Sequence, residues 1–490
     1  MAVARSLSGE VASIDGSDVA ARVQPTHSRR LHAMPGRRAI DPAFGECLKA
    51  LRLKRHLSLR RLGQQIHCSH GYLWDLEAGL KRPSPSVLAL LEAALGTGGE
   101  LLALASVVSA DVGKASAGAV TAGPTAIPGL EFAADWQRGV AVATELWRDD
   151  MQRRELLRGV GFSAAAYLSP AVRWLTAPLD ERPSSAGERL VGEPEIEAVR
   201  RVTAVYRSLD NQYGGTRVRD SVVRFLDTEV AGLLRGRYDQ RTGRALMSAA
   251  AEATQLAGWS SYDAGLHGLA QRYMVQALRL AATAGDRPLG AEILAAMSHQ
   301  AAYLRASTEA VDLARAAGLM ATQAGVAAIE AESAVLEAQG HAVGGDEAAC
   351  AAALNRAERA FDRADRGSDP QWFGYFDEAY LSAKFGHCFT ALGQGKTAAR
   401  FAVRSLDMDG QAYARGRQFN LALLAVAHMQ SGDPEQAAVV GLQATTAAEQ
   451  LNSRRARDYL ADLADRLSPY QGLPAVNEFS ERVQPLLLSG

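Results

Sequence analysis

Between residues 41 and 104, apolar residues recur in short bursts at helical spacing, and each burst is bounded by a capping or breaking residue. Phe44, Leu48 and Leu51 fall on one helical face. Ser58 opens a second segment carrying Leu62 and Ile66, and Ser69 opens a third that carries Leu73 and Leu76 and stops at Gly79. Pro83 and Pro85 close the next turn, after which Ser86 starts a fourth segment with Leu88, Leu91 and Leu95. The pattern predicts a compact domain of four to five short helices over residues 41–104. Residues 105–130 are small, mostly uncharged and punctuated by Gly and Pro, the composition of a linker. Helical periodicity resumes over 131–177 as a connector, a Pro-bounded loop covers 178–194, and helix follows helix from 195 to 490.

That last stretch repeats itself. F-G-H-C-F-T-A-L-G-Q-G-K-T-A-A-R-F-A-V-R-S-L (385–406) and L-L-A-V-A-H-M-Q-S-G-D-P-E-Q-A-A-V-V-G-L-Q-A (423–444) each read as a helix, a glycine turn and a second helix. The turn glycines Gly393 and Gly432 are about 39 residues apart. Similar segments lie around Gly285 and Gly340. Helix pairs that cannot bury their faces alone must stack, so the pattern implies an α-solenoid, and it resembles degenerate tetratricopeptide-like repeats. Aromatic residues are only 6% of the chain and alanine is abundant, which favours closely packed helices over strands. The expected fold is all-α: a small N-terminal helical domain joined to a solenoid.

Charge divides the chain unevenly. The formal net charge is -1, yet Arg29 to Arg82 carries about twelve Lys and Arg against four acids, roughly +8. The N-terminal part is therefore suited to phosphates. Residues 1–40 lack periodicity and read as a flexible basic arm, with Arg29-Arg30 and Arg37-Arg38 just before the first helix. The four cysteines, Cys47, Cys68, Cys350 and Cys388, show no ligand-like pairing, so no metal site and a reducing cytoplasmic location are expected. Residues 1–40 hold no apolar core of a signal peptide, and the longest apolar run, Leu101 to Ala110, is too short to span a membrane.

Ser58 to His67 has the place of a bracing helix, His67-Cys68-Ser69 of a turn, and His70 to Ala78 of a reading helix whose Leu73 and Leu76 face inward. The run K-A-L-R-L-K-R-H-L-S-L-R-R-L-G-Q-Q-I-H-C-S-H-G-Y-L-W-D-L-E-A-G-L-K-R-P-S resembles the Xre (phage Cro and repressor-like) helix-turn-helix family, over about sixty residues. With the repeats, the whole chain is similar to actinobacterial regulators that join such a domain to a tetratricopeptide-like half. The resemblance implies double-stranded DNA as partner. It implies that His70, Gly71 and Asp75 reach base edges, that Ser69 and Tyr72 contact a phosphate or base, and that Arg60, Lys81 and Arg82 grip the backbone. It further implies an internal ion pair between Arg52 and Glu77. Trp74 and Asp75 depart from the family, many members carrying Ser and Arg there. Asp75 can accept a hydrogen bond from a cytosine amino group, whereas Trp74 is expected to pack on the fourth helix or on another domain.

G-Q-G-K-T (393–397) mimics the end of a phosphate-binding loop, but Thr390 stands where the first glycine is required and the preceding segment reads as helix. No G-x-S-x-G, H-E-x-x-H or Cys-x-x-Cys is present, so neither an enzyme nor a cofactor is expected. In the repeats, Trp259, Tyr262, His299, Tyr303, Trp372 and Tyr375 cluster polar and aromatic groups in an Ala-rich background and form a candidate ligand pocket. The expected function is sequence-specific transcriptional regulation, the repeat domain mediating homodimerisation, sensing of a ligand, peptide or protein effector, or both. The alternative is a repeat-based scaffold whose N-terminal helices make protein contacts; concentrated basic charge favours the regulator.

Overall fold

The computed structural model describes residues 42–81, 83, 87, 90, 91, 94, 95, 101, 129–152, 161–176 and 181–488. The expected arm at 1–40, the linker up to residue 128, Arg82, Ser86 and Leu88 lie outside the described residues. The chain divides into two compact units, Met1–Val120 and Thr121–Gly490. Both are built from helices, as the periodicity predicts.

In the first unit, α1 (Pro42–Lys54), α2 (Leu59–Gln65) and α3 (His70–Glu77) enclose one core. Phe44, Leu48, Leu62, Ile66, Leu73 and Leu76 are buried there with Leu91, Leu95 and Leu101. Ser58 and Ser69 cap α2 and α3, their hydroxyls accepting from the Arg61 and Tyr72 amides at 3.1 Å each. Gly45 lets α1 approach the end of α3: a Cβ there would lie 2.6 Å from the Glu77 carbonyl oxygen.

The second unit starts with α4 (Trp136–Gln152), α5 (Leu168–Thr176), α6 (Glu193–Tyr213), α7 (Gly215–Phe225), a π-helical turn (Leu226–Val230) and α8 (Ala231–Leu234). Six antiparallel helix pairs follow. They are α9 (Gln240–Asp263) with α10 (His267–Ala284), α11 (Arg287–Tyr303) with α12 (Ser307–Ala324), and α13 (Ala327–Gly344) with α14 (Glu347–Asp362). Then come α15 (Glu378–Ala391) with α16 (Gly395–Arg404), α17 (Ala414–Gln430) with α18 (Pro434–Ala448), and α19 (Arg454–Leu467) with α20 (Pro474–Leu488). One short antiparallel pair, β1 (Ser185–Ala186) with β2 (Arg237–Tyr238), joins the loop before α6 to the end of α8. The expected all-helical pattern held no sign of it, because two residues per strand leave no alternation to read.

A recurring Gly-Asp pair sets the turns. Gly285, Gly345 and Gly432 have φ of 69°, 81° and 82°, the left-handed region that ends a helix. The aspartates that follow, Asp286, Asp346 and Asp433, cap the next helix by accepting from Leu289, Ala349 and Gln436 amides. Gly340 differs from the expectation of a turn: it lies inside α13, where a Cβ would meet Val311 Cγ2 at 2.8 Å, and the turn falls at Gly345. In G-Q-G-K-T, Gly393 is a left-handed turn residue with φ 74°. Gly395 starts α16 so close to α17 that a Cβ would lie 2.7 Å from the Ala427 carbonyl oxygen. Turn and packing account for both glycines.

Residues 129–152 and 161–176 are packed onto the repeats, with Trp147 and Trp174 buried in the same core as α9 to α14. Gly290 leaves room for Trp174, whose ring would lie 2.1 Å from a Cβ there. Asp150 of α4 is buried against the Arg219 guanidinium of α7 and accepts from the Tyr273 hydroxyl at 2.7 Å. Arg279 of α10 pairs with Glu181 at 2.7 Å. The stack also curls until its ends meet. The Asn452 amide donates to the Tyr213 carbonyl at 2.7 Å, and the Ser453 hydroxyl to Asp263 at 2.8 Å. Arg415 of α17 pairs with Asp210 of α6 at 2.6 Å. With α6 held against the last two pairs, the first helices of the pairs surround a common interior.

Candidate functional site

In the first unit, α3 is held at a fixed angle by charge as well as by its apolar face. Arg52 Nε and Nη2 donate to the two Glu77 carboxylate oxygens at 2.5 and 2.8 Å, while Nη1 donates to the Leu57 carbonyl at 2.7 Å. The expected internal pair is thus present, and it locks α1, the α1–α2 turn and α3 together. The α2–α3 turn is tight because Gly63 lies against it: a Cβ would fall 2.4 Å from the Cys68 carbonyl oxygen. His67, in the turn, takes a positive φ of 52°.

The residues that the resemblance singles out differ in their exposure. Arg60, Ser69, His70, Gly71 and Lys81 are exposed, and a Cβ on Gly71 would touch nothing. Tyr72 and Asp75 are half-buried. Asp75 is paired: its carboxylate lies 2.7 Å from Lys81 Nζ, which also stands 5.6 Å from the centre of the Tyr72 ring. Trp74 is 51% exposed, so within its unit it is not covered as expected; α3 turns it away from the core that Leu73 and Leu76 fill. Lys49, Lys54, Arg60 and Arg61 are also exposed, whereas Glu77 is taken up by Arg52, so the face of this unit remains basic. Arg82 lies outside the described residues.

In the second unit, α6 and the first helix of each of the six pairs surround a cavity of about 200 Å³. Of the six expected pocket residues, Trp259, His299, Trp372 and Tyr375 line it. Tyr262 and Tyr303 stand one layer behind, their rings 5.5 Å apart, with Tyr262 Oη 3.2 Å from His299 Nδ1. Trp372, Tyr375, Tyr413, Arg207 and Asn211 also border a more open hollow beside it, so they form the wall between interior and exterior.

Sequence reasoning missed the charged groups of this cavity: Glu292, Glu332, Lys384, Arg415 and Arg455 all line it and all are buried. Arg415 is neutralised by Asp210 and lies 3.4 Å from Asp263. Arg455 is sandwiched, its guanidinium carbon 4.3 Å from the Tyr262 ring centre and 4.7 Å from that of Phe419, and its Nε and Nη1 have no hydrogen-bond partner. Burial opposes its charge, but the surrounding phenols and Asp263 hold its pKa above the ordinary value. Lys384 faces the Tyr380 ring at 5.3 Å; burial and then Arg455 push its amine down to about 7. His299 and His387 are kept neutral, first by burial and then by Lys384 and Arg455, the second being pushed to about 3. Burial raises both Glu292 and Glu332, and for Glu292 the neighbouring Glu332 raises it further, so the pair retains a proton. Tyr375 donates to Glu332 at 3.0 Å and Gln255 to Glu292 at 3.0 Å. The one signal in the sequence was that polar residues such as Lys384 and His387 interrupt positions where small residues on either side require burial. Among the described residues no cluster of His, Cys, Asp and Glu has the arrangement of a metal site.

Residues 43–105 match the family model described as a helix-turn-helix domain, and the first unit is such a DNA-binding domain. No curated protein matches the chain. Among the described residues, no helix is long and apolar enough to cross a membrane.

Proposed function

We propose that the protein is a sequence-specific transcriptional regulator of the Xre type, acting on double-stranded DNA in the cytoplasm, whose repeat unit serves as sensor and dimerisation module. The observation that carries this reading is the locked, basic α2–α3 face: a bracing helix, a glycine-tightened turn and an eight-residue reading helix whose outward positions are polar or bare. His70 and Gly71 lie at the start of α3, the part that enters a major groove first in this motif. Arg60 and Lys81 flank it, one from α2 and one from the turn after α3, as phosphate grips. The Lys81 pairing gives Asp75 a second task besides base reading. It holds the lysine beside Tyr72 until a phosphate competes for it. Such a module reads one half-site, so pairing through the repeat unit supplies the second. The enclosed cavity with buried, unpaired cationic groups supports an effector rather than a purely structural repeat array.

Selection of binding sites from a random DNA library by the full chain tests this directly. The expected result is a two-fold-related motif. His70→Ala should relax or shift preference at one symmetric position by about 1–3 kcal/mol. Enrichment of no motif, with the protein verified as folded, contradicts the reading.

A further inference from the structure

We infer that the interior cavity of the repeat unit binds a small organic monoanion, an arylcarboxylate in chemical class, with its carboxylate between Lys384 and Arg455 and its planar body against the aromatic wall. This rests on the reading of the repeat unit as a sensor. Two buried cations reach the cavity from different helices, α15 and α19, and neither has a carboxylate within ion-pair distance among the described residues, whereas Arg415 has its own. Arg455 goes further, since two of its nitrogens lack any acceptor. A buried donor without a partner is costly, so an acceptor brought by a ligand is favoured at that place. The rings of Tyr262 and Phe419 hold the plane of the Arg455 guanidinium.

The same surroundings restrict the anion. Glu292 and Glu332 share the cavity and retain a proton between them, and Asp210 is already beside Arg415. A dianion such as a phosphate monoester would meet these carboxylates in a low-dielectric space, whereas a single carboxylate matches the available charge. The Glu292–Glu332 pair and Tyr375 offer one hydrogen-bonding end for a polar substituent on the body. Trp259, Trp372, Phe419 and Leu336 supply faces suited to a flat, apolar body. The cavity, about 200 Å³, has the scale of a small organic molecule rather than of a peptide. Trp372 and Tyr413, in the wall between the cavity and the outer hollow, stand on the route by which such a molecule enters.

The test titrates the full chain with 2-naphthoate, indole-3-acetate and 4-phenylbutyrate, with the neutral amide of each, and with inorganic phosphate. Binding is read by quenching of tryptophan fluorescence, since Trp259 and Trp372 border the cavity, and by thermal shift. At least one acid should bind saturably and at least about tenfold more tightly than its amide, the margin of one charge-assisted hydrogen bond. Phosphate should not bind. Lys384→Met should reduce the preference for acid over amide to less than about threefold. Ala296→Leu, which fills the cavity without changing its charge, should abolish binding of acid and amide alike, and circular dichroism establishes that each variant is folded. Acids and amides of equal affinity, no binding by any of the three acids, tight phosphate binding, or an unchanged acid preference in a folded Lys384→Met protein would each overturn the inference. DNA binding is measured separately on the same preparations, so failure of the ligand class and failure of the regulator reading give different results.

Discussion

Arg52 and Glu77 are separated by 25 residues in sequence and joined by two hydrogen bonds in the fold. Both are buried at the junction of α1 and α3, so removing one partner strands a charge. Glu77→Ala should destabilise the first unit by about 3 kcal/mol, whereas Arg52→Met with Glu77→Leu should cost much less. Hydrogen exchange of residues 42–81 in the full chain reads both. Trp74, by contrast, is more than half exposed, and Trp74→Ala should change the stability of its unit by less than about 0.5 kcal/mol. That residue shows where helical phase alone runs out: it separates Trp74 from Leu73 and Leu76, but a fourth helix covering Trp74 was a guess about tertiary packing. Asp75, expected on the outward face, is half-buried, and its pairing with Lys81 depends on the turn after α3 and was not legible. Asp75→Ala frees a cation and should raise non-specific DNA affinity severalfold.

Lys384 adds a pH dependence at the same scale. Burial favours its neutral form, with Arg455 reinforcing that effect and Glu332, Cys388 and Glu292 opposing it; His299 and His387 face it as neutral rings. Because the folded pKa of this base, about 7, lies below the ordinary lysine value of 10.5, the unfolded chain binds more protons between these values. Its contribution to stability therefore rises with pH across that window and is lost as pH falls through about 7. Anion affinity runs the other way: it should be level below pH 7 and decline above it as the amine loses its proton. Lys384→Met should remove that decline, which titrations with an arylcarboxylate between pH 6 and 9 would reveal.

At the scale of elements, the sequence pattern located most helices because each is announced by a cap, a period or a glycine. Ser58, Ser69 and Gly79 bound α2 and α3, and Gly393 and Gly432 mark two of the hairpins. Gly340 was misread as a turn because a packing glycine and a turn glycine look alike in one sequence; only the Gly-Asp pairing at Gly345 distinguishes them. The two kinds of glycine respond differently to substitution. Gly345→Ala should cost about 1 kcal/mol from backbone strain alone. Gly63→Ala should cost more, since its Cβ would meet a backbone carbonyl that cannot turn aside. Thermal denaturation compares the two.

The whole molecule joins a small basic DNA-binding unit to a larger one that closes on itself through Asn452, Ser453 and Arg415. Closure is what converts a stack of helix pairs into a chamber, and it was not legible in the sequence. The contacts link α6 to α17 and to the turn before α19, between residues 204 apart in the case of Arg415 and Asn211. The aromatic members of the cavity stood out against an alanine background; its charged members did not, because Glu and Lys on a helix ordinarily face solvent. If effector and DNA are coupled, each must change the affinity of the other by the same factor.

The central claim is that the α2–α3 face binds DNA, and salt dependence tests it most directly. The affinity of the full chain for a mixed-sequence duplex should fall linearly with salt on logarithmic axes. In the Arg60→Ala/Lys81→Ala protein, the slope should be smaller by about 2, one per lost phosphate contact. A slope near zero, or one unchanged in the folded double variant, would contradict the account.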